Sequence, residues 1–253
     1  MKEAIVKVQR NWQSDAIIIQ TRRIGEIHRG LQLLLPDGRL VSAIAHGAHS
    51  RRGSLRGKTE LFSRGHAWLY TDNARQSTKL SDFDPLDYHS GIRDALVRLY
   101  VASLWSEFLL ATYAGGGQSD ELYVLLSQAL SVLQDASDTD AVKTNIWFLW
   151  RVLAVYGNRP DPDVDVHSGD PIPESSSVVF DLHEWGFAVA DSSQVVLDPG
   201  PRRYLARLTD IDCVEAPNVE PGTRGIGQVK RVLYLMIRSL AERPLKTLDQ
   251  GVL

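Results

Sequence analysis

The sequence predicts an α+β chain of two unlike parts: a small N-terminal β-barrel, then a larger α-helical domain carrying a small β-hairpin insert. Three observations predict it. Residues 1–79 hold 14 Lys and Arg against 6 Asp and Glu, whereas 80–253 hold the other 14 against 25. A basic third of +8 is thus joined to an acidic remainder of −11, inside a chain whose formal charge is only −3. The hydrophobic period changes near Asp84 from strand-like to helix-like, and a tract rich in Pro, Asp, Gly and Ser at 157–177 interrupts the helices. These features set domains at 1–80 and 81–253, with the insert at about 157–193.

The barrel elements come first. Ala16–Thr21 (AIIIQT) is a β-branched run, and 28–45 (HRGLQLLLPDGRLVSAIA) is two runs joined at Pro36-Asp37-Gly38, where Pro presets the turn and Gly accepts positive φ. Residues 58–72 (KTELFSRGHAWLYTD) supply a further strand or bulged pair, with Gly65 as the kink. About five strands in 80 residues, with no helix long enough to cover them, call for closure into a small barrel.

The helical elements follow. From Asp84, Ile92, Leu96, Leu99, Leu104 and Phe108 fall near 3.6-residue spacing, and Gly115-Gly116-Gly117 is the expected stop. Ser119-Asp120-Glu121 opens a second helix with a Leu stripe from Leu122 to Leu133. A third spans about Asp140 to Tyr156 and carries Trp147 and Trp150. Residues 178–193 read as a hairpin turning at Glu184-Trp185-Gly186, before a helix near Pro201–Asp210 and a last one over 225–248, broken at Pro244.

Composition narrows the function classes. With 43% hydrophobic residues a proper core is expected, and the longest apolar runs are far too short to cross a bilayer. The first residues, MKEAIVKVQRN, lack a secretory apolar stretch, and the single cysteine, Cys213, permits neither an internal disulfide nor a thiolate cluster. A cytoplasmic, nucleoid-associated protein with no membrane partner is expected. No G-x-S-x-G, Walker lysine loop or H-E-x-x-H occurs, so the chain is expected not to be an enzyme and to need no cofactor.

The chemistry concentrates in residues 45–57, AHGAHSRRGSLRG. Arg51, Arg52, Arg56 and Lys58 lie in a glycine-rich connection between barrel strands, Arg22, Arg23 and Arg29 precede it, and Arg64, Arg75 and Lys79 follow. A flexible loop whose guanidinium groups grip phosphates suits single-stranded nucleic acid, so this loop is expected to be a DNA-gripping arm, mobile until bound. Trp68 and Tyr70, two apart and so on one strand face, are candidates for base stacking; barrel core would account for both equally well. His46, His49 and His66 sit among cations with no acid close by, which favours phosphate contact or plain exposure over a metal site. Asp161, Asp163, Asp165, His167 and Asp170 lack the glycine and terminal glutamate of a calcium loop, and GIGQVK at 225–230 lacks the third Gly of a phosphate loop. No metal site is expected.

The order of these parts resembles the RecO family of bacterial recombination mediators. The resemblance rests on Ala16–Glu26, on Gly38 to Ala48 (GRLVSAIAHGA), on Ser54-Leu55-Arg56-Gly57, and on Glu242 to Thr247 (ERPLKT). It implies an OB-fold-like barrel and a mediator without catalytic turnover. Such a protein binds single- and double-stranded DNA, anneals strands, and works with RecR and the C-terminal tail of SSB to let RecA onto DNA. Carried onto this chain, the expected DNA-binding residues are Arg22, Arg23, Arg29, His46, Arg51, Arg52, Arg56, Lys58, Arg64, Trp68 and Tyr70. Two departures stand out. His46 replaces the usual lysine, and the four cysteines that hold zinc in many relatives are missing: Asp165 and Ser168 stand at the first pair, and Val189 or Ala190 and Ser192 or Ser193 near the second. The insert is therefore degenerate and held by packing, with Trp185 and Phe187 as its centre. Two other readings remain open, an RNA-binding barrel protein and an adaptor that grips acidic protein tails.

Overall fold

A computed structural model describes residues 10–112, 119–190, 196–221 and 225–252. The chain divides into two compact units, one made of 10–89 with 119–127, the other of 90–112 with 128–252. The Gly115–Gly117 stop, the Ser192 and Ser193 positions and the opening residues 1–9 lie outside the described residues.

Five strands close the first unit into a barrel: β1 (Asn11–Ile24), β2 (His28–Leu34), β3 (Leu40–Ala45), β4 (Arg64–Asp72) and β5 (Ser77–Asp87), ordered β1-β2-β3-β5-β4 and back to β1. All pairs are antiparallel except β3 with β5. This is the OB-fold-like arrangement expected, and the turn at Pro36–Gly38 is present, with Gly38 at φ +81°. Ala16, Ile18, Leu31, Leu33, Ala43, Ala45, Ala67, Leu69, Leu80 and Phe83 fill the interior. A bulge at Ile19 reverses the alternation of β1: Ile18 points inward opposite Leu33, and after the bulge Gln20 and Arg22 point outward opposite Gln32 and Gly30. The kink foreseen at Gly65 is a register shift where Pro85 of β5 passes; a Cβ there would lie 2.3 Å from the Asp84 carbonyl oxygen.

Two expectations need correction. The strand pattern does not end at Asp84, since β5 runs through Pro85 to Asp87, and a 3₁₀ turn (Ser90–Asp94) precedes the first helix. Residues 58–63, expected to open a strand, are turns instead.

In the second unit, α1 (Leu96–Thr112) and α3 (Asp138–Val155) cross through stacked Trp105 and Phe148 rings, 4.4 Å apart, and the Trp105 indole donates to Asn145. Between them comes α2 (Asp120–Leu133), whose first half groups with the barrel. A three-stranded sheet follows, β6 (Val178–Asp181), β7 (Gly186–Val189) and β8 (Val196–Leu197), ordered β7-β6-β8, so the foreseen hairpin gains a third strand. Then come α4 (Pro199–Leu208), α5 (Gly225–Leu240) and the short α6 (Lys246–Asp249), with the break at Pro244 as expected. No described helix is long and apolar enough to cross a membrane.

Phe187 is buried and Trp185 donates to the Asn158 carbonyl, so aromatic packing does serve the insert. Two polar side chains add to it. Arg202 of α4 is buried beneath residues 162–173, and Asp165 ties the two segments that the resemblance sets against the cysteine pairs. One Asp165 carboxylate oxygen accepts from the His167 and Ser168 N–H groups (2.9 and 3.2 Å), and the other accepts from the Val189 N–H at 2.9 Å. A carboxylate already turned to three N–H groups, with no thiolate beside it, does not fit a four-cysteine zinc site.

The Val189 bond first, and the other two after it, hold the Asp165 carboxyl below the ordinary aspartate range. Because the folded value is depressed, its contribution to stability is complete above the unfolded value of about 3.9 and fades as pH falls below it. Asp165→Ala should therefore cost about 1 kcal/mol near neutrality. The gap between the melting temperatures of variant and wild type should narrow as pH falls below about 3.9; a gap that stays constant on acidification would refute the tie.

Candidate nucleic-acid interface

Two outward faces of the barrel carry opposite chemistry. On the first, hydrogen-bond register sets a lateral row across all five strands: Arg22 opposite Gly30, Gly30 opposite Ile44, Ile44 beside Lys79, and Lys79 opposite Tyr70. Their chain neighbours Leu31, Ala43, Ala45, Leu80 and Leu69 are core, so the row faces outward. Beside it lies a groove of about 320 Å³ lined by Gln20, Arg22, Gly30, Gln32, Ser42, Ile44 and Gln76–Thr78, with no acidic residue on its walls. Gly30 lets the floor be shallow, since a Cβ there would meet the Arg22 side chain at 2.8 Å. Gln32 donates to Ser42 across the floor at 2.7 Å.

Two histidines border the row. The His28 and His46 rings meet edge to face at 4.7 Å, and His28 Nδ1 accepts the Gly47 N–H at 3.1 Å. Burial first, then His28 and Lys79, hold His46 below its usual imidazole value, so it is uncharged at neutral pH. His46 therefore brings no charge to this border of the row at neutral pH.

The loop from His46 to Thr59 is not the mobile arm expected. Ala48 and Leu55, 3% and 2% exposed, plug into the barrel core. Successive turns are closed by Ser50 N–H to Gly47, Gly53 N–H to Ser50, and Arg56 N–H to Gly53. His49 N–H binds the Ile27 carbonyl, and Arg29 donates to the Thr59 carbonyl and pairs with Glu60 at 3.1 Å. The two apolar anchors, seven residues apart, supply the burial that glycines and arginines alone could not. Arg51, Arg52 and Arg56 are left exposed on a built surface.

The second face lies on β1, β4 and β5. Trp68, 38% exposed, stands opposite Gln13 and Asp82, and His66 stands opposite Asp15 and Asp84. His66 meets Asp15 at 2.9 Å, and Lys58 meets Asp82 at 2.9 Å. Neither Trp68 nor Tyr70 belongs to the core cluster, so the core explanation of this pair falls.

The eleven residues singled out from sequence thus separate. Arg22 and Tyr70 join the groove row, and His46 borders it. Arg51 and Arg52 stand exposed on the loop, as does Arg56, which donates to the Arg51 carbonyl at 3.4 Å, while Arg23 folds onto the Gly25 and Glu26 carbonyls of the β1–β2 turn. Arg29 and Lys58 are committed to Glu60 and Asp82, and half-buried Arg64 to the Tyr123 phenol. Trp68 lies among carboxylates. Gln20, Gln32, Ser42 and Gln76 were missed because neutral polar residues carry no signal until a register brings them together; Lys79 was noted only as part of the general basic stretch.

Comparison with known proteins agrees with this architecture. Residues 9–89 match the family model described as "Recombination protein O N terminal", and residues 93–249 that described as "Recombination protein O C terminal". The DNA repair protein RecO of Synechococcus elongatus is 28% identical over 153 residues, 60% of this chain and 57% of that protein's length. The RecO proteins of Symbiobacterium thermophilum and Gloeobacter violaceus are each 25% identical, over 239 residues (92% of this chain, 93% of theirs) and 207 residues (82% and 76%). Both family models and the order of the two units lead to one assignment: the chain belongs to the RecO family of DNA repair proteins.

Proposed function

We propose that this chain binds single- and double-stranded DNA along the groove beside Arg22, Lys79 and Tyr70, with Arg51, Arg52 and Arg56 gripping phosphates where the strand leaves it. From there it anneals complementary strands and acts with RecR and SSB in letting RecA onto DNA. The observation that carries this is the groove whose walls bring Arg22, Gly30, Ile44 and Gln76–Thr78 together without an acid, with Lys79 beside Ile44 at its edge. Amide and hydroxyl groups on the floor can hydrogen-bond sugar and base edges, Tyr70 offers a stacking surface, and the flanking cations neutralise phosphate. Annealing needs charge neutralisation and proximity of two strands rather than bond chemistry, which accords with a role that involves no turnover.

The test is fluorescence anisotropy with labelled single-stranded and duplex oligonucleotides over a salt series. Each phosphate contact contributes a slope of about 0.7 in log affinity against log salt on a single strand. An Arg22→Ala/Lys79→Ala variant should bind roughly tenfold more weakly near 0.1 M salt, with its slope flatter by about 1.4. An Arg51→Ala/Arg52→Ala/Arg56→Ala variant should flatten the slope further. No binding by the wild type at low salt would overturn the reading, and binding of an acidic SSB-type tail peptide in its place would establish an adaptor. Preferential competition by RNA of the same sequence would point to 2′-hydroxyl recognition instead.

A further inference from the structure

We propose that the second barrel face, on β1, β4 and β5, docks a partner-protein segment bearing arginine or lysine side chains, with Trp68 as its stacking platform. Exposed apolar side chains stand out there: Trp68 is 38% exposed, and Leu86, on the same outward side of β5 as Asp82 and Asp84, is 65% exposed. The His66 ring lies edge-on to the Trp68 indole at 4.7 Å and fixes one side of it. Around this pair the strands place Asp15, Asp82 and Asp84. Asp15 is engaged by His66 and Asp82 by Lys58, whereas exposed Asp84 makes no ion pair among the described residues.

An aromatic face ringed by carboxylates attracts a cation and repels a phosphate. A guanidinium laid on the indole would keep its N–H groups in the plane facing Asp82 and Asp84, which suits arginine better than lysine. Trp68 is the large, rigid, partly exposed side chain that anchors interfaces, and Leu86 extends the apolar part of the contact. The sign of the charge distinguishes this face from the groove, whose walls carry none of the chain's acids. DNA on one face and a basic protein segment on the other could therefore be held together by the same barrel.

The experiment titrates a short labelled peptide alternating arginine and serine, and its twin with citrulline at every arginine, against the full chain. The wild type should bind the arginine peptide and not the citrulline twin. A Trp68→Ala/Asp84→Asn variant should lose roughly tenfold in peptide affinity while oligonucleotide affinity changes less than about twofold, and Trp68→Phe should keep most of the binding. All the substituted side chains are partly exposed, so unchanged melting temperatures will certify the fold. Unaltered peptide affinity in the double variant would overturn the proposal. So would loss of oligonucleotide binding in its place, which would give the face to DNA, or self-association that the double variant abolishes, which would make the occupant a second copy. Because DNA binding is measured in parallel, failure here is distinguishable from failure of the groove reading.

Discussion

Replacing Arg202 by methionine is expected to destabilise the helical unit by about 3 kcal/mol, the cost of leaving buried carbonyls without donors. Arg202 is 1% exposed and leaves the first turns of α4 to spread its guanidinium beneath the insert. It reaches the Pro162, Ile172 and Pro173 carbonyls at 3.3, 3.4 and 3.0 Å, and the Asp163 carboxylate at 3.1 Å. No other residue type offers donors in a planar fork of that reach, so a single side chain draws two distant parts of the tract together. Methionine conserves the length and the packing but none of the donors. For a chain of this size the loss corresponds to a fall in Tm of roughly 6–10 °C, and limited proteolysis should open the chain between 160 and 177. Arg202→Lys should fall between, since an ammonium is a point charge that cannot serve carbonyls on two sides. A Tm within 2 °C of wild type for the methionine variant would show that the insert is held by its apolar contacts alone.

Arg202 also marks a limit of what the sequence discloses. Its neighbours PGPRRYLARL read as an amphipathic helix, and nothing in that pattern separates the buried Arg202 from the more exposed Arg203 one residue on. The helices themselves were legible, because each repeats a local period; α2, α3 and α5 lie close to where their Leu, Trp and Val stripes put them. The Pro36–Gly38 turn and the Gly65 kink were legible for the same reason, being written in a few adjacent residues. β5 was not. Pro85 and the aspartates at 82, 84 and 87 argue against a strand locally, and only pairing with β4 on one side and the non-local parallel pairing with β3 on the other make it one.

The candidate site follows the same division. The basic stretch was visible as composition, but its net charge hid a segregation. Alternation sends Asp82 and Asp84 outward beside Trp68, while the bulge at Ile19 turns Arg22 outward beside Gly30. A parity change of one residue decides which face receives the arginine. Charge counting along a chain cannot register it.

Gly53→Ala, finally, separates a built loop from a tethered charge. The substitution alters no charge and, in a mobile arm, would be harmless or slightly favourable through the unfolded state. Here a Cβ at Gly53 would lie 2.0 Å from the Gly47 carbonyl oxygen and 2.9 Å from its carbon, both backbone atoms that a rotamer change cannot relieve. The same oxygen accepts the Ser50 N–H at 2.9 Å, so giving way breaks the first of the successive turns. The strain passes along those turns to Ala48 and Leu55, whose burial holds the loop to the barrel. We expect a loss of about 2–3 kcal/mol, in the range of forced backbone shifts in packed structure. At a temperature where the variant stays folded, oligonucleotide affinity should fall at least fivefold although Arg51, Arg52 and Arg56 are all present. If their charge alone sufficed, the variant would bind like wild type at every salt concentration. A fall in affinity at constant charge would mean that the arginines work from fixed positions, set by two apolar side chains whose burial the basic residues around them conceal.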